Sequence, residues 1–459
     1  MKIAVCVKQV TSGELNPFDA CALECALRIP DAEITLLSMG RPAVKGMLEQ
    51  LTRLGNVNGV LLSDLAFAGA DTLATGYALS LACKKLNPDL IICGRQTVDG
   101  DTAQTGSVLA TMMGYPVITN VMSIDSFDDN GISCKTRLGD EKADLPALIT
   151  VERINDLRRP SIRSKTKEVL VWTADDLGAD KEKCGLKGSP TKVVKSFENE
   201  SGKRKCKFIA PAELECAVKY GLNKEPDAIK VEASDEKLKN VWIVTEAPRA
   251  MAETVSDDIK VIEKDTAENI AKLIMDGKPD VVLWPSDIWS RRTAPQVSAL
   301  LSTGLCADCT ALETDGKDLF MYRPAFSGNV IAKIRCVTKP QMATVRTTLN
   351  DVAEVMLAAG KGVRESYDKV EALAEKYNAE LAASRGLVDI GFAPYEQQVG
   401  LTGKTVSPKV YIAAGISGAV HHIVGMQQTG TVIAINPDKD TPIFEYADFG
   451  IVAKIEDII

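Results

Sequence analysis

The feature that most constrains this chain is a rhythm near its start. Strand-like, largely apolar runs at Ile3–Val7, Glu33–Ser38, Val60–Ser63 and Leu90–Cys93 alternate with helix-like stretches at Asp19–Ile29, Ala43–Leu54 and Thr72–Leu86. Strands apolar on both faces must be covered on both faces, and parallel neighbours need a crossover segment between them. The pattern predicts an α/β fold of doubly wound, mostly parallel sheets. Past residue 120 it changes: Gly131–Leu138 alternates and Ala147–Val151 is apolar again, which predicts antiparallel strands added to the sheet edge.

At 459 residues the chain exceeds one ordinary core, and an internal echo divides it. Pro88-Asp89-Leu90-Ile91-Ile92-Cys93 resembles Pro279-Asp280-Val281-Val282-Leu283-Trp284, and Ala103–Leu109 lines up with Ala294–Leu300 at matching distance. One α/β unit therefore occurs twice, and the shorter second copy is expected to lack a strand and a helix. Between the copies the composition turns to lysine, glutamate, glycine and proline, as in a connecting arm. A third doubly wound block carries an amphipathic helix (Ser366–Ala379), a strand at Lys409–Ala414, a glycine turn, a helix and Thr431–Ile435. The boundaries expected are 1–185 for the first domain, 186–238 for the arm, 239–345 for the shortened copy and 346–459 for the last domain.

A net charge of -8 and a pI near 5.2 argue against a nucleic-acid binder. No apolar run approaches the roughly 18 residues of a membrane span. The opening Met1–Val7 reads as a buried strand, and twelve cysteines without a secretory leader fit a cytoplasmic protein with free thiols. No metal site is expected: the closest cysteine pairs, Cys21/Cys25 and Cys306/Cys309, sit among small apolar residues, and the two histidines are the adjacent His421 and His422.

In the third block, Ala414-Gly415-Ile416-Ser417-Gly418-Ala419 follows a strand and opens a helix. Glycines there let backbone N–H groups approach a phosphate, which the helix N-terminus favours. A tight strand-to-helix connection is the plain alternative. The turn is not alone, because Val399-Gly400-Leu401-Thr402-Gly403 and Ser384-Arg385-Gly386 precede it and both histidines follow it. Arg, Thr and His beside a pyrophosphate site suit a redox cofactor that gains negative charge.

Tyr411–His422, Ala434-Ile435-Asn436, Pro442-Ile443-Phe444, Ala383-Ser384-Arg385, Gln398–Gly403 and Pro340–Arg346 resemble the FAD domain of the electron-transfer flavoprotein α subunit. Cys6-Val7-Lys8, Asn16-Pro17-Phe18-Asp19 and Gly94–Gly106 resemble the β subunit. Nearly the whole chain is covered, so it looks like a fused β–α electron-transfer flavoprotein. The resemblance implies adenine-nucleotide-hydrolase-like domains, a β-type one at 1–185 and a shortened α-type scaffold at 239–345, followed by a C-terminal FAD-binding domain.

The resemblance also implies roles. Arg385 would lie against the isoalloxazine and favour its reduced, anionic form, Thr402 would donate near N5 or O4, and His422 would sit at the pyrimidine end. Ser417, Gly418, Ala419 and Val420 would cradle the pyrophosphate and ribityl. Ser384, Gln398 and Asn436 would hold the rest, with Lys361, Val399, Gly400, Leu401 and His421 completing the FAD site. Asn436 also reads as a turn residue before Pro437. Lys454 and Ile455 replace an Asp-Leu pair that often contacts adenine. No residue need act as acid, base or nucleophile.

A second nucleotide, FAD or AMP, is implied in the first half at Cys6, Asn16, Asp19, Met39, Asp64, Gly94, Asp99, Gly100, Asp101, Thr102, Ala103, Gln104 and Thr105. The stretch Asp99–Gln104 looks more like bifurcating relatives with two FADs and NAD chemistry than like AMP-binding ones, since Gly100 and Ala103 open the loop. The alternative is a loop that merely turns into its helix. The echo at Ser290–Pro295 lacks the glycine and the acids, so the second copy is expected to be scaffold.

Leu157–Lys167 gathers five cations around one aliphatic side chain. It matches the family's recognition loop, with Ile162 as anchor and Arg163 and Lys165 as basic rim, or it is a solvated basic turn. The partner implied is a flavin dehydrogenase acting on acyl-CoA, and the chain is expected to be a monomer with no nucleic-acid partner. Its rivals are an NADH-oxidising bifurcating flavoprotein and a nucleotide-binding interaction protein without redox activity.

Overall fold

A computed structural model describes the chain apart from residues 128–130, 137–138, 153–155, 199–202, 225–235, 327–329, 347–352, 395–396, 401–402, 405, 427–428 and 459, and the side chains of Glu198, His421 and Val424. The fold is mixed α/β with largely parallel sheets, as the apolar strand runs require. Two compact units are present, one of Met1–Ser196, Val231–Phe326 and Ala332–Thr347, the other of Phe197–Lys230, Ser327–Ile331 and Thr348–Ile459.

The first unit opens with β1 (Lys2–Cys6), α1 (Pro17–Leu27), β2 (Glu33–Met39), α2 (Val44–Leu51), β3 (Val57–Leu62), α3 (Thr72–Leu86), β4 (Leu90–Gly94), α4 (Thr105–Met113), β5 (Val117–Phe127), β6 (Gly131–Thr136), β7 (Gly139–Asp144), β8 (Ala147–Val151) and β9 (Val169–Trp172). They build a nine-stranded sheet ordered β7-β6-β5-β8-β4-β1-β2-β3-β9. Local chemistry sets the ends of α3: the Asp71 carboxylate accepts the Ala74 amide at 3.0 Å, and Asn87 closes the helix at φ 50°.

One expectation is corrected. Ala147–Val151 is not an antiparallel edge strand, because β8 pairs in parallel with both β4 and β5 inside the sheet. All five of its residues are buried, so an apolar run without alternation belongs between neighbours. The antiparallel pairing is confined to β5-β6-β7.

Next come β10 (Thr191–Glu198), β11 (Lys207–Phe208), α5 (Leu214–Asn223), β12 (Val241–Val244), α6 (Arg249–Glu253), β13 (Ile259–Ile262), α7 (Ala267–Gly277), β14 (Val281–Pro285), α8 (Ile288–Leu301), β15 (Leu305–Cys309), β16 (Ala311–Thr314), β17 (Leu319–Ala325), β18 (Val330–Cys336) and β19 (Gln341–Val345). The order β13-β12-β14-β19-β15 repeats β2-β1-β4-β8-β5. Between its first strand and β14 the second copy has β13, α6 and α7 where the first copy has two strands and three helices, so one strand and one helix are missing. A smaller sheet has the order β10-β18-β17-β16.

The second unit holds β20 (Val355–Ala359), α9 (Tyr367–Lys376), β21 (Glu380–Ala383), α10 (Arg385–Val388), β22 (Val410–Ala414), α11 (Val420–Met426), β23 (Thr431–Ile435) and β24 (Phe449–Ile451). Its sheet order is β11-β24-β23-β22-β20-β21. The segment between the two copies is more than a tether. It gives this sheet β11, and α5 buries Leu214, Ala217 and Val218 against its core. Arg204 donates to the Thr429 and Gly430 carbonyls at 2.7 and 2.8 Å and pairs with Asp448. Among the described residues, no helix is long and apolar enough to cross a membrane.

Candidate nucleotide-binding sites

In a doubly wound sheet, ligands bind outside the carboxyl ends of the strands where the winding direction reverses. In the second unit that point lies between β20 and β22, since the chain runs outward to β21 and returns past β20 to β22. Four of the expected groups follow successive strand ends there: Lys361 after β20, Ser384-Arg385 after β21, Ser417–Val420 after β22 and Asn436 after β23.

The turn after β22 is made of backbone packed on backbone. Gly415 has φ 62° and Gly418 φ 85°, conformations that suit glycine. A Cβ on Gly418 would come within 2.3 Å of the Ile443 nitrogen, and one on Gly360 within 2.1 Å of the Gly415 carbonyl. The Ile443 amide donates to the Ser417 carbonyl at 3.2 Å, and Asn436 Nδ2 donates to the Ile416 carbonyl at 3.1 Å. Asn436 Oδ1 meanwhile accepts the Asp438 amide at 3.0 Å. The side chain of Asn436 thus closes its own turn, as the turn-residue reading has it, and also ties down the glycine turn beside it.

Around this turn the other expected residues differ in exposure. Arg385 is on the surface, with Nε 3.2 Å from the Asp389 carboxylate. Gln398 and Val399 are buried, and Val399 donates to the Ala383 carbonyl at 2.9 Å. Gly400 interlocks with Gly425, whose Cβ would meet the Gly400 nitrogen at 2.3 Å. Leu401 and Thr402, and the side chain of His421, lie outside the described residues. His422 is buried with Nε2 2.9 Å from the Tyr411 hydroxyl. Burial pulls the imidazole down to about 4, so the ring is neutral at pH 7.

In the first unit the winding reverses between β1 and β4, and the loop of residues 95–104 leaves from that point. Asp101 (φ 50°) and Ala103 (φ 54°) both adopt the left-handed conformation in this loop. The side chain of Gln104, the residue before α4, makes no capping bond to the helix. In the second copy, by contrast, only Ser286 and Asp287 separate β14 from α8, and the Asp287 carboxylate caps the Ser290 amide at 2.7 Å. The same strand end therefore carries a ten-residue loop into an uncapped helix in one copy and a two-residue turn into a capped helix in the other.

Several expected residues build this loop. Lys8 Nζ lies 2.9 Å from the Asp99 carboxylate, and Asn16 Nδ2 donates to the Gln96 carbonyl at 2.8 Å. Burial pushes the Asp99 carboxyl up, but hydrogen bonds from Lys8 and Thr97 outweigh it and leave it below its usual value. Asp19 is 5% exposed and accepts the Lys8 amide at 2.8 Å. Its burial raises it to about 7 against hydrogen bonds from Asn16 and the Lys8 backbone. Gly94 makes room for Asp19, since a Cβ there would sit 2.4 Å from Oδ1. Gln104 is internal, accepting from Thr72 Oγ1 at 2.8 Å and donating to the Leu305 carbonyl at 3.3 Å.

Others stand back from the loop. Cys6, at the end of β1, is opposite Cys93 in the strand register, and Met39 ends β2; both are partly buried. Asp64 follows β3, two strands beyond β1, and its carboxylate is spent on the Ala66 and Ala174 amides at 2.9 and 3.0 Å.

Sequence reading missed a cluster from the second copy. The Asp308 carboxylate accepts Arg346 Nε and Nη2 at 2.9 and 2.6 Å and lies 3.5 Å from Arg291 and 3.0 Å from Ser286 Oγ. With Asp101, Ala103 and Thr344, Asp308 and Arg291 line a cavity of about 10 Å³, room for about one water. Asp308 at φ 58° was the one local signal, and it shows only in the backbone. Arg323, another miss, reaches the Gly100 carbonyl from β17 at 2.8 Å.

Ile162 is 98% exposed at the tip of a fastened loop. Arg53 donates to the Ser164 and Ser161 carbonyls at 3.2 and 3.3 Å, and Thr52 Oγ1 accepts the Lys167 amide at 2.8 Å. Arg163 and Lys165, which follow Ile162 in the loop, are both exposed.

Parallel doubly wound sheets with phosphate-type turns at their reversal points define a nucleotide-binding α/β protein. The electron transfer flavoprotein domain profile matches residues 3–177 and 217–370, and the electron transfer flavoprotein FAD-binding domain profile matches residues 350–427. The chain belongs to the electron transfer flavoprotein family. It is 36% identical over 239 residues to the electron transfer flavoprotein subunit alpha of Thermoanaerobacterium thermosaccharolyticum, a match spanning 42% of this chain and 72% of that protein. To subunit beta of the same organism it is 42% identical over 201 residues, 41% of this chain and 77% of that protein. It is 38% identical over 229 residues to the caffeyl-CoA reductase-Etf complex subunit CarD of Acetobacterium woodii, spanning 43% and 87%. Similarity to both subunit types within one chain is consistent with a β/α fusion.

Proposed function

We propose that this chain is a monomeric, cytoplasmic electron carrier that moves electrons through FAD between a flavin dehydrogenase and a further acceptor. The observation that carries this is the glycine turn after β22, at the reversal point of its sheet, fixed by Asn436 and Ile443 with no room for a Cβ at Gly418. Such a cradle fits a pyrophosphate. FAD, when bound, supplies one- and two-electron transfer. The residues that would hold it are Ser417–Val420 and Lys361 at the phosphates, Ser384, Arg385 and Thr402 toward the flavin, and Gln398–Leu401 with His421 at the rim. Asn436 acts by positioning the turn. His422, neutral and bonded to Tyr411, would offer the flavin edge a polar ring without a charge.

The partner we assign is a dehydrogenase of acyl-CoA type. The relative CarD belongs by name to a complex with a reductase of a CoA thioester. Ile162, on a loop fastened by Arg53 and Arg158, has the exposure of an anchor, and Arg163 and Lys165 supply a basic rim.

A second reading rests on the loop at 95–104. Its open, left-handed turn supports a second nucleotide at Asn16 and Asp99–Thr105, and if that nucleotide is FAD the chain is an NADH-oxidising bifurcating flavoprotein. The test is a cofactor inventory of the purified chain, FAD and AMP by heat release and chromatography, followed by NADH titration. One FAD plus AMP, inert to NADH, supports the carrier; two FADs bleached by NADH support bifurcation. A colourless protein without flavin would overturn both and leave a nucleotide-binding interaction protein.

A further inference from the structure

The turn that presents Ile162 is held from outside its own loop. β9 pairs in parallel with β3, so the chain entering β9 runs beside the short 3-10 turn Thr52–Leu54 that precedes β3. The Ser164 amide donates to the Ser161 carbonyl at 3.1 Å, closing a four-residue turn with Ile162 and Arg163 at its tip.

Arg53 grips both ends of that turn. Its Nε donates to the Ser164 carbonyl at 3.2 Å and its Nη2 to the Ser161 carbonyl at 3.3 Å, across 111 and 108 positions of chain. Nη1 donates to Gln50 Oε1 at 3.2 Å. None of these three acceptors is a carboxylate, so the contact uses the shape of the guanidinium more than its charge. Two parallel N–H groups span two carbonyls, whereas the single ammonium of a lysine is a point donor on a flexible stem. The flanks are fixed as well. Before the turn Leu157 packs on the core and Arg158 is clamped on Glu24; after it the Lys167 amide donates to Thr52 Oγ1 at 2.8 Å. A side chain as exposed as Ile162 contributes nothing to this order, so the order serves something other than the fold.

We propose that Arg53 is a positioning residue for partner docking, holding the Ser161–Ser164 turn in the shape that offers Ile162. The turn is then ordered on folding, and association no longer bears the cost of ordering it. Arg53 acts through Ile162 and not by touching the partner. This inference rests on the reading of Ile162 as the docking anchor.

The test uses the full chain as Arg53→Lys, Arg53→Gln, Ile162→Ala and Arg53→Lys with Ile162→Ala. Each is the varied substrate of an acyl-CoA dehydrogenase supplied with its acyl-CoA. Arg53→Lys and Arg53→Gln are both expected to raise KM for the chain at least about tenfold with kcat within about twofold, the mark of lost binding common to ground and transition states. Added to Ile162→Ala, Arg53→Lys is expected to raise KM by less than about threefold, because its effect runs through the missing side chain. Without any partner, trypsin is expected to cut after Arg163 and Lys165 at least about tenfold faster in Arg53→Lys than in wild type. Unchanged FAD content and circular dichroism serve as the folding control. Wild-type KM in Arg53→Lys would overturn the proposal, since charge alone would then suffice. So would a full tenfold effect of Arg53→Lys on top of Ile162→Ala, or an unchanged rate of cleavage. Wild-type KM in Ile162→Ala would overturn the underlying docking reading, and that variant alone reveals the case.

Discussion

Glu24 and Arg158, 134 positions apart, form a single clamp: the carboxylate accepts Arg158 Nε and Nη2 at 2.9 Å each and the Arg158 amide at 3.1 Å. Hydrogen bonds from Arg158 hold the Glu24 carboxyl down at about 2. A depressed carboxyl contributes stability above its unfolded value, near 4.5, that is lost as pH falls through 2. Between pH 5 and 2 the wild type is therefore expected to lose more thermal stability than Glu24→Gln. Arg158→Met at pH 7 is expected to cost about 1–2 kcal/mol, because the arginine is half exposed while its partner is buried. Melting curves across that pH range check both.

Ile162 makes the opposite prediction. Its side chain supports nothing in the fold, so Ile162→Ala is expected to leave the melting temperature within about a degree. Electron exchange with the flavin dehydrogenase partner should slow by tenfold or more if the residue is a buried anchor in the complex. Stopped-flow reduction of the flavin by that partner gives the answer, and an unchanged rate would remove Ile162 from the docking surface.

Asp19 titrates with the other sign. Its folded-state value of about 7 lies above the usual 3.8, so the folded chain holds this proton longer than the unfolded one. Stability is expected to decline as pH rises from about 4 to 7, by a few kcal/mol at most. Asp19→Asn keeps an oxygen for the Lys8 amide and removes the ionisation, so its stability should be flatter over that window. Urea titrations at pH 5 and pH 8 measure the difference.

Gly418→Ala tests the flavin cradle. A methyl at φ 85° would lie 2.3 Å from the Ile443 nitrogen, so the turn must open to admit it. FAD content is expected to fall at least about tenfold, as heat release and chromatography would record.

What the sequence disclosed followed the range of the forces involved. Thr72–Leu86, Ala147–Val151 and Thr431–Ile435 occur as elements at the residues read from their patterning, because burial on a sheet or a helix face writes itself into consecutive side chains. The same patterning misplaced Ala147–Val151, since an apolar run says that both faces are covered but not which strands cover its edges. Glycine turns were legible because only glycine tolerates those approaches. Arg323 and Asp308 were not: their partners are supplied by folding, 223 positions away for Arg323 and Gly100, and a lone charge in a strand has no local signature. Nor could the sequence show that the Asp64 carboxylate, at a strand end, accepts the Ala66 and Ala174 amides, the second of them 110 positions away.

The bonds from β17 to the loop after β4 have a consequence for how the protein behaves on dilution. In relatives made as separate alpha and beta subunits, a contact between the corresponding halves is an encounter between two molecules, and its occupancy follows their concentration. Here Arg323 and Gly100 share one covalent backbone, so the local concentration of one about the other is set by the chain and not by the solution. The loop should keep its shape in nanomolar protein as it does in millimolar.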